Sequence, residues 1–127
     1  MAHIAWIEDD HEEIAYLVKL LEKDGHEILP FASWREAEKQ IKEICACNII
    51  ILDIILPPIE EDRYWGLSIL EQLRKKYNYT APVIVCSRVQ NPVVLHRLRE
   101  LGVSEILLKP VRPSKLYEAV SKALVGE

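Results

Sequence analysis

Residues Ile49-Ile50-Ile51-Leu52 form an unbroken apolar run that stops at an acid, Asp53. A strand with one face in water alternates apolar and polar side chains, because successive side chains point to opposite faces. This run does not alternate, so both its faces must be covered. Such strands belong in the middle of a parallel sheet with helices on either side. That constraint bounds the fold more tightly than any other feature of the chain.

The remaining pattern supplies the other strands and the covering helices. Short apolar runs alternate with helical patterns five times. The first strand covers residues 4–7 and ends in Glu8-Asp9-Asp10. A helix follows, with Ile14, Leu17, Val18 and Leu21 on one face and Gly25 as its stop signal. The second strand covers 27–31, and Ser33-Trp34-Arg35-Glu36 reads as a capping box opening a second helix that carries Ala37, Ile41 and Ile44. The third strand covers 48–53, and a loop containing Leu56-Pro57-Pro58 and the polar stretch 60–63 separates it from a third helix. Gly66 precedes that helix, whose apolar side is Leu70, Leu73 and Tyr77. Pro82 opens the fourth strand at 83–86. Asn91-Pro92 reads as an N-cap followed by proline in the first helical position, with Val94, Leu98 and Leu101 facing inward and Gly102 ending the helix. The fifth strand covers 105–108 and the last helix 113–125, with Leu116, Val120 and Leu124 in register. Five strand–helix units predict an α/β fold: a five-stranded parallel sheet with right-handed crossovers, flanked by five helices.

The 127 residues, half of them hydrophobic, are enough for one compact core, so 1–127 reads as a single domain. The net charge of -4 gives no general attraction for nucleic acid or an anionic membrane, and neither is an expected partner. No apolar run is long enough to span a bilayer, and no signal peptide opens the sequence, so cytoplasm is the expected compartment. Cys45, Cys47 and Cys86 have no framework spacing and no histidine to complete a zinc site, so they read as reduced packing residues. The scattered His3, His11, His26 and His96 take no role, and Trp6, Trp34 and Trp65 read as packing or loop residues.

In open parallel sheets ligands bind beyond the carboxyl ends of the strands, where strand order reverses. Strand one ends in Glu8-Asp9-Asp10, strand three in Asp53, strand four in Ser87 and strand five in Lys109. If the order is 2-1-3-4-5, strands one and three are neighbours and their acids converge. Two unit charges about 4 Å apart cost on the order of 4 kcal/mol at an effective dielectric of about 20, and a hard divalent cation removes that cost. Oxygen ligands without histidine or cysteine suit Mg²⁺. A carboxylate can attack phosphorus to give an aspartyl phosphate, and the transferred charge then needs a cation and a hydroxyl donor. Lys109 and Ser87 are the candidates. Asp10 reads more simply as an acid at a helix N-terminus, where the dipole favours it.

Ile7-Glu8-Asp9-Asp10, the run ending at Asp53, Leu56-Pro57, Pro82-Val83-Ile84-Val85-Cys86-Ser87 and Lys109-Pro110 together resemble the motifs of response-regulator receiver domains, in that family's order. Each motif alone is common, but five on the right strands are specific, and the resemblance covers the whole chain. It implies a flavodoxin-like, CheY-like sheet of order 2-1-3-4-5. It implies a phospho-accepting switch in two-component phosphorelay signalling that is not an enzyme in the ordinary sense, though it assists its own phosphorylation and dephosphorylation. Asp53 would accept the phosphoryl group from a sensor histidine kinase or phosphotransfer protein. Asp9, Asp53 and the backbone carbonyl of Ile55 would ligate Mg²⁺, with Glu8 acting mainly through water. Ser87 and Lys109 would each contact a phosphoryl oxygen, and the Lys109-Pro110 bond would be cis. The output would be an effector protein or domain, or a phosphorylation-dependent homodimer, engaged through the fourth helix, fifth strand and fifth helix; Val93, Leu95, Val103 and Tyr117 are candidate contacts.

Three positions depart from the family pattern. Ile106 stands where relatives carry an aromatic residue that rotates on activation. Arg88 stands where they carry a small residue, so it is expected either to gate Asp53 or to contact the phosphoryl group. The loop after Leu56-Pro57 is longer, with an insert over 60–65. Arg88 and Ile106 also suit an alternative, a pseudo-receiver that binds proteins without being phosphorylated. A phosphatase of the haloacid-dehalogenase type would need an aspartate at position 55, which is Ile55. The four glycines are nowhere clustered into a phosphate loop.

Overall fold

In a computed structural model, residues 2–55 and 64–125 are described. The strands form a five-stranded sheet, all parallel, in the order β2-β1-β3-β4-β5. The strands are β1 (His3–Ile7), β2 (Glu27–Phe31), β3 (Ile49–Leu52), β4 (Val83–Ser87) and β5 (Glu105–Leu108). The helices are α1 (His11–Lys23), α2 (Trp34–Lys39), α3 (Ile41–Cys45), α4 (Trp65–Lys75), α5 (Pro92–Glu100) and α6 (Pro113–Val125).

β3 lies at the centre, and all of its residues are buried. Alternation along the strands splits the core in two. Ile50, Leu52, Val83 and Val85 pack under α2, α3, α4 and α5, whereas Ile49, Ile51, Ile84 and Cys86 pack under α1 and α6. β2 is an edge strand, which accommodates Pro30 and its missing N–H. Trp6 is buried on the α1–α6 side, and Trp34 meets Tyr77 edge-on at 6.4 Å.

Helix ends follow local chemistry. Ser33 caps α2 by accepting from Glu36 N–H at 3.2 Å, but the Glu36 carboxylate reaches Ala32 N–H rather than the cap residue itself. Asn91 caps α5 by accepting from Val93 N–H, with Pro92 opening the helix. Gly25 and Gly102 both take positive φ just after helices, as their stop signals predict.

Two elements differ from expectation. The second helix is two helices, α2 and α3, because Gln40 leaves helical geometry at φ -119°, ψ 36°. The described residues therefore form six helices, not five. The apolar spacing runs through the break and neither glycine nor proline marks it, so a pattern-based reading joins the two. The third helix begins at Trp65, which places Gly66 inside its first turn rather than before it. Leu56-Pro57 and most of the 60–65 insert lie outside the described residues.

The end of the sheet away from the acids is held by Arg74. Its guanidinium donates to the carbonyls of Tyr79, Ala81, Leu101 and Gly102 at 2.7–3.1 Å. These bonds tie α4 to the end of α5 and to the segment entering β4. No helix among the described residues is long and apolar enough to cross a membrane.

Candidate functional site

The carboxyl ends of the strands form a cleft of about 200 Å³. Glu8, Asp9, Asp10, Glu13 and Asp53 give it five carboxylates; Arg88 and Lys109 are its cations, and Ile55 completes its wall. Adjacent pairing of β1 and β3 brings the two acidic ends together, with Ile7 opposite Leu52 and Asp53 N–H donating to Ile7 carbonyl at 3.0 Å. Glu8 and Asp53 are buried, whereas Asp9 is exposed.

Lys109 enters from the end of β5 and joins the two buried acids. Its Nζ donates to Asp53 Oδ2 at 3.0 Å and to Glu8 Oε1. Glu8 Oε2 accepts from Asp10 N–H at 3.1 Å, so both of its oxygens are engaged. Asp53 Oδ1 accepts from Ile55 N–H at 3.2 Å. The Lys109-Pro110 bond is cis.

The electrostatics follow from this packing. Burial works against the charge on Lys109, but Glu8 and Asp53 outweigh it and hold the ammonium above its ordinary range. Burial pushes Glu8 up, to about 7; the Lys109 hydrogen bond opposes that rise, and the Asp53 charge adds to it.

A metal ion is consistent with the donor set. Carboxylate oxygens of Glu8, Asp9 and Asp53 lie within 4.8 Å of one another. Ligands on opposite sides of Mg²⁺, each at about 2.1 Å, stand about 4.2 Å apart, so a small side-chain movement brings this group to size. Asp9 is free to make that movement because it is exposed. Glu8 is tied through both oxygens, which suits a role through water better than direct ligation.

Ser87 ends β4 and is buried, beside the cleft rather than in its wall. Its Oγ accepts weakly from Val89 N–H at 3.4 Å. Asp10 caps α1, its Oδ1 accepting from Glu13 N–H at 3.1 Å, which is the plain role read from sequence. Ile106 is half-buried against the core under α2–α5, the same face as Ser87.

The sequence did not reveal the part that two residues play at the site. Glu13 receives Arg88: Nη2 to Oε1 is 2.8 Å and Nη1 to Oε2 is 3.4 Å. The only signal for it was its place in the first turn of α1. Gly66 packs on the backbone that carries Asp53, where an added Cβ would lie 2.2 Å from Asp53 carbonyl oxygen and 2.5 Å from Ile54 Cα.

A family model for the response regulator receiver domain matches residues 4–121. The chemotaxis protein CheY of Thermotoga maritima is 27% identical over 118 residues, which cover 91% of this chain and 92% of that protein. Protein PilH of Pseudomonas aeruginosa is 24% identical over 127 residues, covering 99% of this chain and 100% of that one. The solved structure of a CheY-like response regulator receiver domain protein from Methanospirillum hungatei JF-1 matches in fold, with a TM-score of 0.84 at 23% identity, covering 99% of this chain and 95% of that one.

Proposed function

This chain belongs to the response-regulator receiver family, and on that premise we propose that Asp53 is its phosphoryl acceptor. Receiver domains are phospho-accepting switches in phosphorelay signalling, not classical enzymes, and they work between histidine kinases and effectors. They generally bind Mg²⁺ at an acidic cluster. The finer assignment to residues is carried by one observation: Asp53 lies under Lys109, 3.0 Å from its ammonium, within the carboxylate group that also holds Glu8 and Asp9.

An Asp53 oxygen attacks phosphorus of a partner's phosphohistidine. The new P–O bond forms as the P–N bond breaks, and the electron pair stays on the imidazole nitrogen. Lys109 exchanges a carboxylate oxygen for a phosphoryl oxygen, and Ser87 rotates from Val89 N–H to donate to another. Asp9, Asp53 and the Ile55 carbonyl would hold Mg²⁺, with Glu8 acting through water, and the ion would offset the negative charge gathered there. In hydrolysis, water attacks phosphorus, the Asp53 P–O bond breaks and phosphate leaves. These groups thus assist both directions of the switch. The output is a changed protein-binding surface involving α5, β5 and α6, with a downstream effector or a second copy as partner.

The test is an intact mass after incubation with Mg²⁺ and acetyl phosphate. A gain of about 80 Da, absent from Asp53→Asn and absent without Mg²⁺, is the expected result. No gain from any donor, together with no Mg²⁺ binding, would replace this reading with the pseudo-receiver one.

A further inference from the structure

We propose that Arg88 is a phosphoryl-holding residue stored on Glu13 in the resting state, and that it leaves Glu13 for the phosphoryl group when Asp53 is modified. The inference rests on Asp53 being the acceptor and concerns what this chain adds to that chemistry.

Val83 and Val85 of β4 face the core under α2–α5, while Ile84 and Cys86 face the core under α1 and α6. The same alternation sends Ser87 to the first side and Arg88 to the second. The two neighbours therefore bracket the space above Asp53 from opposite faces of the sheet. Arg88 arrives on the side of α1, where Glu13 takes it in a two-pronged contact at 2.8 and 3.4 Å.

The two cations of the cleft differ in position. The Lys109 side chain is 4% exposed at the floor, whereas that of Arg88 is 59% exposed at the rim. An anion entering from solvent meets Arg88 first. The guanidinium is held charged by Glu13 and also feels Asp53 and Glu8, so it lies within electrostatic reach of the acceptor.

Exposed ion pairs are weak, so Glu13 holds Arg88 loosely. A phosphoryl group carries nearly two charges and three acceptor oxygens, and a planar guanidinium matches it better than one carboxylate. Arg88 on the phosphoryl group would also stand between the aspartyl phosphate and attacking water. The Glu13–Arg88 pair thus sets how readily small donors enter and how long the modified state lasts.

The experiment uses the full chain with Mg²⁺ and acetyl phosphate, following intact mass during formation and again after the donor is removed. Arg88→Ala should need more donor for half-modification and lose the phosphoryl group about 3- to 10-fold faster, the scale of one partly exposed charge-assisted hydrogen bond. Arg88→Lys should recover part of the lifetime, and Glu13→Gln should speed formation at low donor concentration. Wild-type lifetime and donor dependence in Arg88→Ala would overturn the proposal. So would faster modification of that variant with an unchanged lifetime, which would make Arg88 a mere cover. Beryllofluoride with Mg²⁺, read by thermal shift, separates the two levels: a wild type indistinguishable from Asp53→Asn with both probes would sink the acceptor assignment, and this inference with it.

Discussion

Lys109 is the residue on which the resting cleft depends. It pairs with two buried carboxylates, Glu8 and Asp53, from the end of a strand remote from both in sequence. Removing one partner of a buried ion pair strands the rest, at a cost of about 3 kcal/mol. Lys109→Ala should therefore unfold at lower urea by about that amount, and added Mg²⁺ should restore part of the loss. A midpoint equal to wild type would show that water already solvates these acids. Sequence alone marked Lys109 by its place between an apolar strand and Pro110. It did not show that the amine would touch both acids, because that depends on strand packing across 101 residues in one case and 56 in the other.

At the scale of elements, the site depends on how closely α4 begins against the end of β3. Gly66 N–H donates to Ile54 carbonyl at 2.9 Å, and its Cα faces the Asp53 backbone with no room for a side chain. The atoms in the way are backbone, which cannot swing aside. Gly66→Ala should thus cost about 2 kcal/mol by overpacking and should slow modification of Asp53 by displacing its carbonyl segment. Urea unfolding and intact mass would check the two effects, and an unchanged protein in both would contradict the contact. The glycine was visible in the sequence as a feature near a helix start. Its contact was not, because periodicity says nothing about how near two elements come. The break at Gln40 was hidden for a related reason: Ala37, Ile41 and Ile44 keep helical spacing on either side of it.

Across the whole molecule, β1, β3 and β5 gather their carboxyl ends at one edge, so stability and ion binding are linked. Glu8 rises from an ordinary 4.5 to about 7 on folding. The folded chain therefore binds this proton more tightly than the unfolded chain, and the stability from that source is full below about 4.5 and lost as pH rises through about 7. The melting temperature without metal should fall across that window, and Glu8→Gln should flatten the fall. An equal slope in both proteins would remove Glu8 as the cause. The strands and most helices were legible in the sequence, because apolar spacing, caps and stop signals act over a few neighbours; the break at Gln40 and the start of α4 were not. The meeting of acids at strand ends was expected only through the order 2-1-3-4-5 that the family resemblance implies, which sets strands one and three side by side. Only the tertiary structure decided which charges pair: Lys109 with Glu8 and Asp53, and Arg88 with Glu13. Those choices depend on distances between side chains set by register and packing, which no local pattern contains.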